Sequence, residues 1–90
     1  MKLNKKEKQL LSIIDNSSVD DFLERSSKIL KINPREVEKI IKKLQKENLI
    51  KIVSIVEKNM IYSHTKKVKK NMLDENLFYK YGSRPLHTYS

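Results

Sequence analysis

The sequence predicts a mainly helical fold with one β-hairpin, an α+β architecture in the order helix, helix, helix, strand, strand, helix. Three observations lead to this prediction. Apolar residues recur at helical spacing through the first half of the chain. Asn33-Pro34-Arg35-Glu36 has the residue types that begin a helix. A β-branched run over residues 50–56 is followed by a polar tip and a second short apolar run, which is typical of a hairpin.

The first helix is predicted over about residues 4–15, because Asn4 and Glu7 have the spacing of a capping box. Its apolar side is Leu3, Leu10, Leu11 and Ile14, and its outer side is Lys5, Lys6, Lys8 and Ser12. A second, shorter helix is predicted after a polar break, with Ser18 as its N-cap. We expect this helix to fade at Ser26-Ser27, before a tight connection.

The third helix is predicted over residues 33–47, with Asn33 as N-cap and Pro34 as its first residue. It ends where Asn48 can adopt the left-handed conformation that glycine usually takes. Its core stripe is Val37, Ile40, Ile41 and Leu44. At about 100° per residue, the opposite face, about 140–200° from Val37, is purely cationic. That face is Arg35, Lys39, Lys42 and Lys46.

The hairpin is predicted over residues 50–64, with Glu57-Lys58-Asn59 at its tip. A fourth helix is predicted over about residues 65–80, opened by a run of lysines. Its apolar residues are Val68, Met72, Leu73, Leu77 and Phe78. The chain is therefore interpreted as one domain over residues 1–82, followed by a C-terminal tail over residues 83–90.

Composition narrows the classes of function. Among 90 residues, 20 Lys and Arg face 11 Asp and Glu, and the net charge of +9 attracts polyanions. Without cysteine, and with two separated histidines, no metal site is predicted. The single glycine, Gly82, excludes glycine-rich nucleotide loops, so no cofactor is predicted. No catalytic constellation is present, and no long apolar stretch indicates export or membrane insertion. We therefore expect a cytoplasmic protein that is not an enzyme.

The order of elements resembles the winged helix-turn-helix family, in particular small prokaryotic, archaeal or viral regulators of the multiple-antibiotic-resistance type. The resemblance covers about residues 5–65 and depends on Phe22-Leu23, the turn over residues 30–37 and the exit Leu44-Gln45-Lys46-Glu47-Asn48-Leu49-Ile50. Family members commonly have an acidic residue and a glycine at this exit, where this chain has Gln45 and Asn48. The resemblance implies that the third helix enters the DNA major groove and that the hairpin, the wing, contacts the backbone or minor groove.

The sequence therefore predicts a sequence-specific double-stranded DNA-binding protein, a transcription regulator for which no small-molecule effector can be inferred. The predicted DNA contacts are Arg35, Glu38, Lys39, Lys42, Lys43, Lys46, Lys58, Asn59, Lys66 and Lys67. A homodimer is also predicted, because the apolar surface of the fourth helix exceeds what a small three-helix core covers. The predicted dimer contacts are Leu3, Leu10, Met72, Leu73, Leu77 and Phe78.

Two other interpretations remain open. The first is a winged-helix protein-interaction module of a replication, transcription or membrane-remodelling complex, and an exposed apolar patch on the wing or the fourth helix would favour it. The second is a module for single-stranded nucleic acid or RNA, for which the four tyrosines are the only support.

Overall fold

A computed structural model describes residues 2–14, 22–57 and 59–81 of the chain. The fold is mainly helical with one two-stranded antiparallel hairpin, in the predicted order and compatible with a winged-helix arrangement. Its elements are α1 (Lys5–Ile13), α2 (Phe22–Leu30), α3 (Pro34–Lys46), β1 (Ile50–Val56), β2 (Asn59–His64), one 3-10 turn (Lys70–Met72) and α4 (Glu75–Tyr81). The tail predicted over residues 83–90 lies outside the described residues.

The start of α1 confirms the predicted capping box. The Glu7 N–H donates to Asn4 Oδ1 at 2.8 Å, and the Asn4 N–H donates to Glu7 Oε1 at 2.9 Å. Two of the N–H groups that a helix leaves without intrahelical partners are thereby satisfied. The first helix therefore begins at the residue that the capping-box spacing indicates.

The second helix is longer than predicted at its C-terminal end. It continues past Ser26, which is fully buried, to Leu30. Lys31 has a φ of 58°, and the Ile32 N–H donates to the Ser27 carbonyl at 3.1 Å. The Lys6 ammonium donates to the Leu30 carbonyl at 2.5 Å. The expectation that the helix fades at Ser26-Ser27 was wrong, because these later contacts close its C-terminus. Its predicted N-cap, Ser18, lies outside the described residues.

The third helix has the predicted ends. Asn33 Oδ1 accepts the Glu36 N–H at 2.9 Å, and Pro34 occupies the first turn. At the C-terminus Asn48 has a φ of 62°, and the Leu49 N–H donates to the Leu44 carbonyl at 2.9 Å. This pattern closes the helix and turns the chain directly into β1.

The hairpin contains one irregularity. Ile52 is opposite Tyr62 and Ser54 is opposite Ile61, so Val53 is an extra residue on β1. Two residues of β1 therefore oppose one residue of β2, which is a β-bulge. Beyond the bulge Ile55 is opposite Met60, and Val56 opposite Asn59 is the last pair before the turn.

The fourth helix is much shorter than the predicted 65–80. Asp74 begins it, because its Oδ1 accepts the Asn76 N–H at 3.1 Å and the Leu77 N–H at 3.4 Å. The Asp74 N–H donates to Ser12 Oγ at 2.6 Å, and Leu73 is extended, with φ −108° and ψ 150°. The lysine run thus lies in a turn region, because these contacts start the helix only at Glu75.

The core lies between the helices and the base of the hairpin. Its fully or nearly fully buried residues include Leu10, Leu11, Ile13, Ile14, Leu30, Val37, Leu44 and Leu49. Ser12, expected on the outer side of α1, is fully buried because it bridges the Lys8 carbonyl and the Asp74 N–H. Helix α4 packs on α1 of the same chain.

Candidate nucleic-acid interface

The outer face of α3 is a line of exposed cations. Arg35, Lys39, Lys42 and Lys46 are all exposed, whereas Val37, Ile41 and Leu44 on the opposite side are buried. Burial of the apolar stripe fixes the rotation of the helix about its axis, so the cationic line faces away from the protein. We call these four residues the α3 cationic line.

Lys43 differs from the other lysines of α3. Its Nζ lies 2.7 Å from Oε2 of Glu7, a residue of α1 that is buried. The Glu7 carboxylate therefore compensates the charge of Lys43, whose side chain is 46% exposed. Lys43 thus joins α3 to α1, and its contact with DNA stays a prediction.

A second group of cations lies at the exit of α3. The Thr65 hydroxyl donates to the Asn48 carbonyl at 2.5 Å, and the Thr65 N–H donates to the Leu49 carbonyl at 3.0 Å. These bonds hold the turn containing Lys66 and Lys67 against the end of α3. Both lysines are exposed. Because Thr65 is bonded to the residues that follow α3, the two lysines lie next to the C-terminal end of the α3 cationic line.

Glu38 of α3 acts electrostatically on a residue of the wing. Its side chain is exposed, and its negative charge acts on Tyr62 of β2. Burial raises the pKa of the Tyr62 hydroxyl, and the Glu38 charge raises the same pKa further. The Tyr62 ring also packs on Phe22 of α2, with the ring centroids 6.5 Å apart. The Tyr62 ring thus packs the wing on α2.

The wing carries an apolar surface that the sequence interpretation did not identify. Ile52 is 41% exposed, Ile55 is 62% exposed and Met60 is 49% exposed. Alternation along β2 puts Met60 and Tyr62 on one face, and the Tyr62 hydroxyl lies 3.5 Å from Met60 Sδ. Ile55 and Ile52, directly opposite these two residues, share that face. We call Ile52, Ile55 and Met60 the apolar wing face.

The predicted wing contacts are described only in part. Lys58 lies outside the described residues, and Asn59 is the first residue of β2. A period-2 reading of β1 would have placed Ile52 and Ile55 on opposite faces. The bulge at Val53 brings them together, and no residue type in the sequence marks that position.

The residues predicted to form a dimer interface are largely covered within one chain. Leu3, Leu10, Leu73 and Phe78 are buried in the core, and Met72 and Leu77 pack partly against it. The apolar surplus expected on a long fourth helix is absent from the described residues, because the helix is short and folds back on α1.

Within the described parts of the chain, no group of three or more His, Asp or Glu side chains is arranged to hold a metal ion. Nor is any described helix long and apolar enough to cross a membrane. Comparisons with protein-family models, with curated proteins and with solved structures found no match for this chain.

Proposed function

We propose that the protein binds double-stranded DNA by laying α3 in the major groove. The observation that supports this most directly is the α3 cationic line, whose four side chains are exposed and opposite the buried stripe. The B-DNA major groove, about 12 Å wide, admits an α-helix. A 13-residue helix is about 20 Å long, so its cations can follow the phosphates across the groove.

The neighbouring lysines extend this cationic surface. Lys66 and Lys67 lie beside the α3 exit, and each phosphate that a lysine neutralises releases condensed counterions. Glu38, near the N-terminal half of α3, is the residue that would meet a base edge, since a carboxylate accepts from cytosine N4. Cations thus provide affinity, and the first turns of the helix provide base contacts.

The test is a duplex titration at several salt concentrations. We expect log affinity to fall with log salt with a slope of about −4 or steeper, because each neutralised phosphate contributes about 0.9. The variant Lys39→Ala/Lys42→Ala should reduce that slope by about 2. Lys2→Ala/Lys5→Ala is the matched control, because it removes the same charge from two exposed positions outside α3. Equal slopes for the two double variants would refute the role of α3.

A role in transcription regulation, in the cytoplasm, extends this proposal. Its readout is a footprint on a palindrome upstream of the protein's own gene.

The homodimer also stays a prediction. The residues predicted for its interface are largely covered within one chain, so a dimer interface would lie elsewhere on the chain. Sedimentation at micromolar concentration measures it against the monomer mass of 10.7 kDa.

The second candidate function is the protein-interaction module. One observation favours it, the apolar residues exposed on the wing. An exposed apolar patch on the wing is the feature that the sequence analysis expected of a protein-interaction module. A stable protein interface buries about 800 Å² per partner and involves about 20–30 residues on each side. The apolar wing face has three residues, so it supplies a small part of such an interface.

A further inference from the structure

The outer surface of α3 carries charged side chains and no neutral polar ones. From Arg35 to the end of the helix, every exposed side chain is a cation or a carboxylate: Arg35, Glu36, Glu38, Lys39, Lys42, Lys43 and Lys46. The helix contains no serine or threonine. Adenine is read mainly by the amides of Asn and Gln, and the thymine methyl group by apolar contacts. Neither kind of side chain is exposed along this stretch.

The amide and apolar side chains that could read A·T pairs are engaged elsewhere. Asn33 Oδ1 accepts the Glu36 N–H at 2.9 Å, and Asn33 Nδ2 donates to Glu36 Oε1 at 3.2 Å. Gln45 is half-buried in the last turn, whereas base edges are met by the N-terminal residues of a helix in the major groove. Ile40 is half-buried and packs against the core. After Pro34, α3 therefore has no exposed apolar contact for thymine.

Arg35 and Glu38 are the charged side chains best placed to meet bases. Both are exposed in the N-terminal half of α3, and within the described part of the chain neither forms an ion pair or a side-chain hydrogen bond. Side chains three positions apart are neighbours on a helix, about 4.5 Å apart along its axis. Successive bases of a strand are about 3.4 Å apart. The two side chains can therefore reach one base pair or two neighbouring pairs.

We propose that α3 selects duplexes with neighbouring G·C pairs, in which Arg35 donates to guanine O6 and N7 and Glu38 accepts from cytosine N4. This inference rests on the proposed function and names the class of duplex that the helix binds. Arginine makes a bidentate contact with guanine, and a carboxylate accepts from the cytosine amino group. Adenine also has an amino group, but the N7 acceptor beside it opposes a carboxylate. The exposed lysines of α3 favour guanine as well.

The experiment is a selection of bound duplexes from a library with a randomised centre, followed by sequencing. We expect neighbouring G·C pairs in the selected duplexes. Competition titrations then compare a selected duplex with the same duplex carrying A·T at those pairs. The selected duplex should bind about tenfold or more tightly, because one good bidentate contact discriminates between bases by about 5- to 150-fold.

Three variants make the test specific to these side chains. Glu38→Gln should change the selected base at one position from cytosine to adenine, because a glutamine amide pairs with adenine N6 and N7. Glu36→Gln is the matched control, because it removes the same charge from the first turn, where glutamine also suits the cap, and it should keep the G·C pairs. Arg35→Ala should lose the guanine preference at one position. Thermal melts check that each variant is folded.

The outcomes separate base recognition from duplex binding. Binding without a base preference, or selection of A·T pairs by the wild-type protein, refutes the inference and leaves phosphate binding by the α3 cationic line intact. The inference is also refuted if Glu38→Gln selects the same duplexes as Glu36→Gln. If the wild-type protein binds no duplex of the library even at low salt, the proposed function fails, and this inference fails with it.

Discussion

Lys43 of α3 and Glu7 of α1 form an ion pair in which Nζ lies 2.7 Å from Oε2. Glu7 is buried, and its other carboxylate oxygen accepts the Asn4 N–H of the capping box. Burial raises the pKa of the Glu7 carboxyl, but hydrogen bonds from Lys43 and Asn4 and the Lys43 charge together lower that pKa below its usual value. The Glu7 carboxylate therefore caps the start of α1 and also holds α3 against α1.

Neighbouring lysines of α3 should therefore respond differently to the same substitution. We expect Lys43→Met to lower the free energy of unfolding by about 2 kcal/mol, because it leaves the buried Glu7 carboxylate without its charged partner. Lys42→Met, at an exposed position, should change stability by less than about 0.5 kcal/mol. Urea unfolding measures both effects. In duplex titrations the order should reverse, with Lys42→Met weakening DNA binding more.

The free energy of unfolding should fall in acid, because the Glu7 carboxylate becomes protonated. Because the pKa of this carboxyl is lower in the folded protein, its contribution is fully present above the unfolded pKa and is lost as pH falls through the folded pKa. We expect the wild-type protein to lose stability between about pH 5 and pH 3. Glu7→Gln should be less stable at pH 7 and should show a smaller loss over that range. Parallel pH profiles for the two proteins would contradict the assignment.

The buried hydroxyl of Ser12 should stabilise the packing of α1 against the start of α4. It donates to the Lys8 carbonyl at 2.7 Å and accepts the Asp74 N–H at 2.6 Å. We expect Ser12→Ala to cost about 1–3 kcal/mol, because the Asp74 N–H at the start of α4 then lacks its acceptor. Ser54→Ala, at an exposed strand position, should stay within about 0.5 kcal/mol. Thermal unfolding followed by circular dichroism compares the two variants.

Glycine substitutions at the C-terminal ends of α2 and α3 should stabilise the protein. Lys31 and Asn48 have φ values of 58° and 62°, a region that lysine in particular occupies at a cost of about 1–2 kcal/mol. We expect Lys31→Gly to raise the free energy of unfolding by up to about 1 kcal/mol, and Asn48→Gly by less, since Asn tolerates this conformation. Lys28→Gly, inside α2, should instead lower it by about 1 kcal/mol. A destabilised Lys31→Gly variant would argue against the left-handed conformation there.

Local signals accounted for much of the helical structure. The capping box located the start of α1, the Asn33 cap and Pro34 located the start of α3, and Asn48 located the end of α3. These features depend on residues three or four positions apart, so a single sequence contains them. The same reasoning failed for α4, because Ser12, 62 residues away, holds the N–H of the residue that begins it.

The sequence by itself determined which face of α3 is buried and which is cationic, because a period of 3.6 residues assigns both faces from residue types alone. It also determined that a hairpin follows this helix. Only the tertiary structure decided that Lys43 pairs with Glu7 while Lys42 faces outward, because that pair joins two helices 36 positions apart in the chain. Only the tertiary structure put Ile52 and Ile55 on one face of the wing, because a bulge at Val53 reverses the alternation and depends on how β1 pairs with β2.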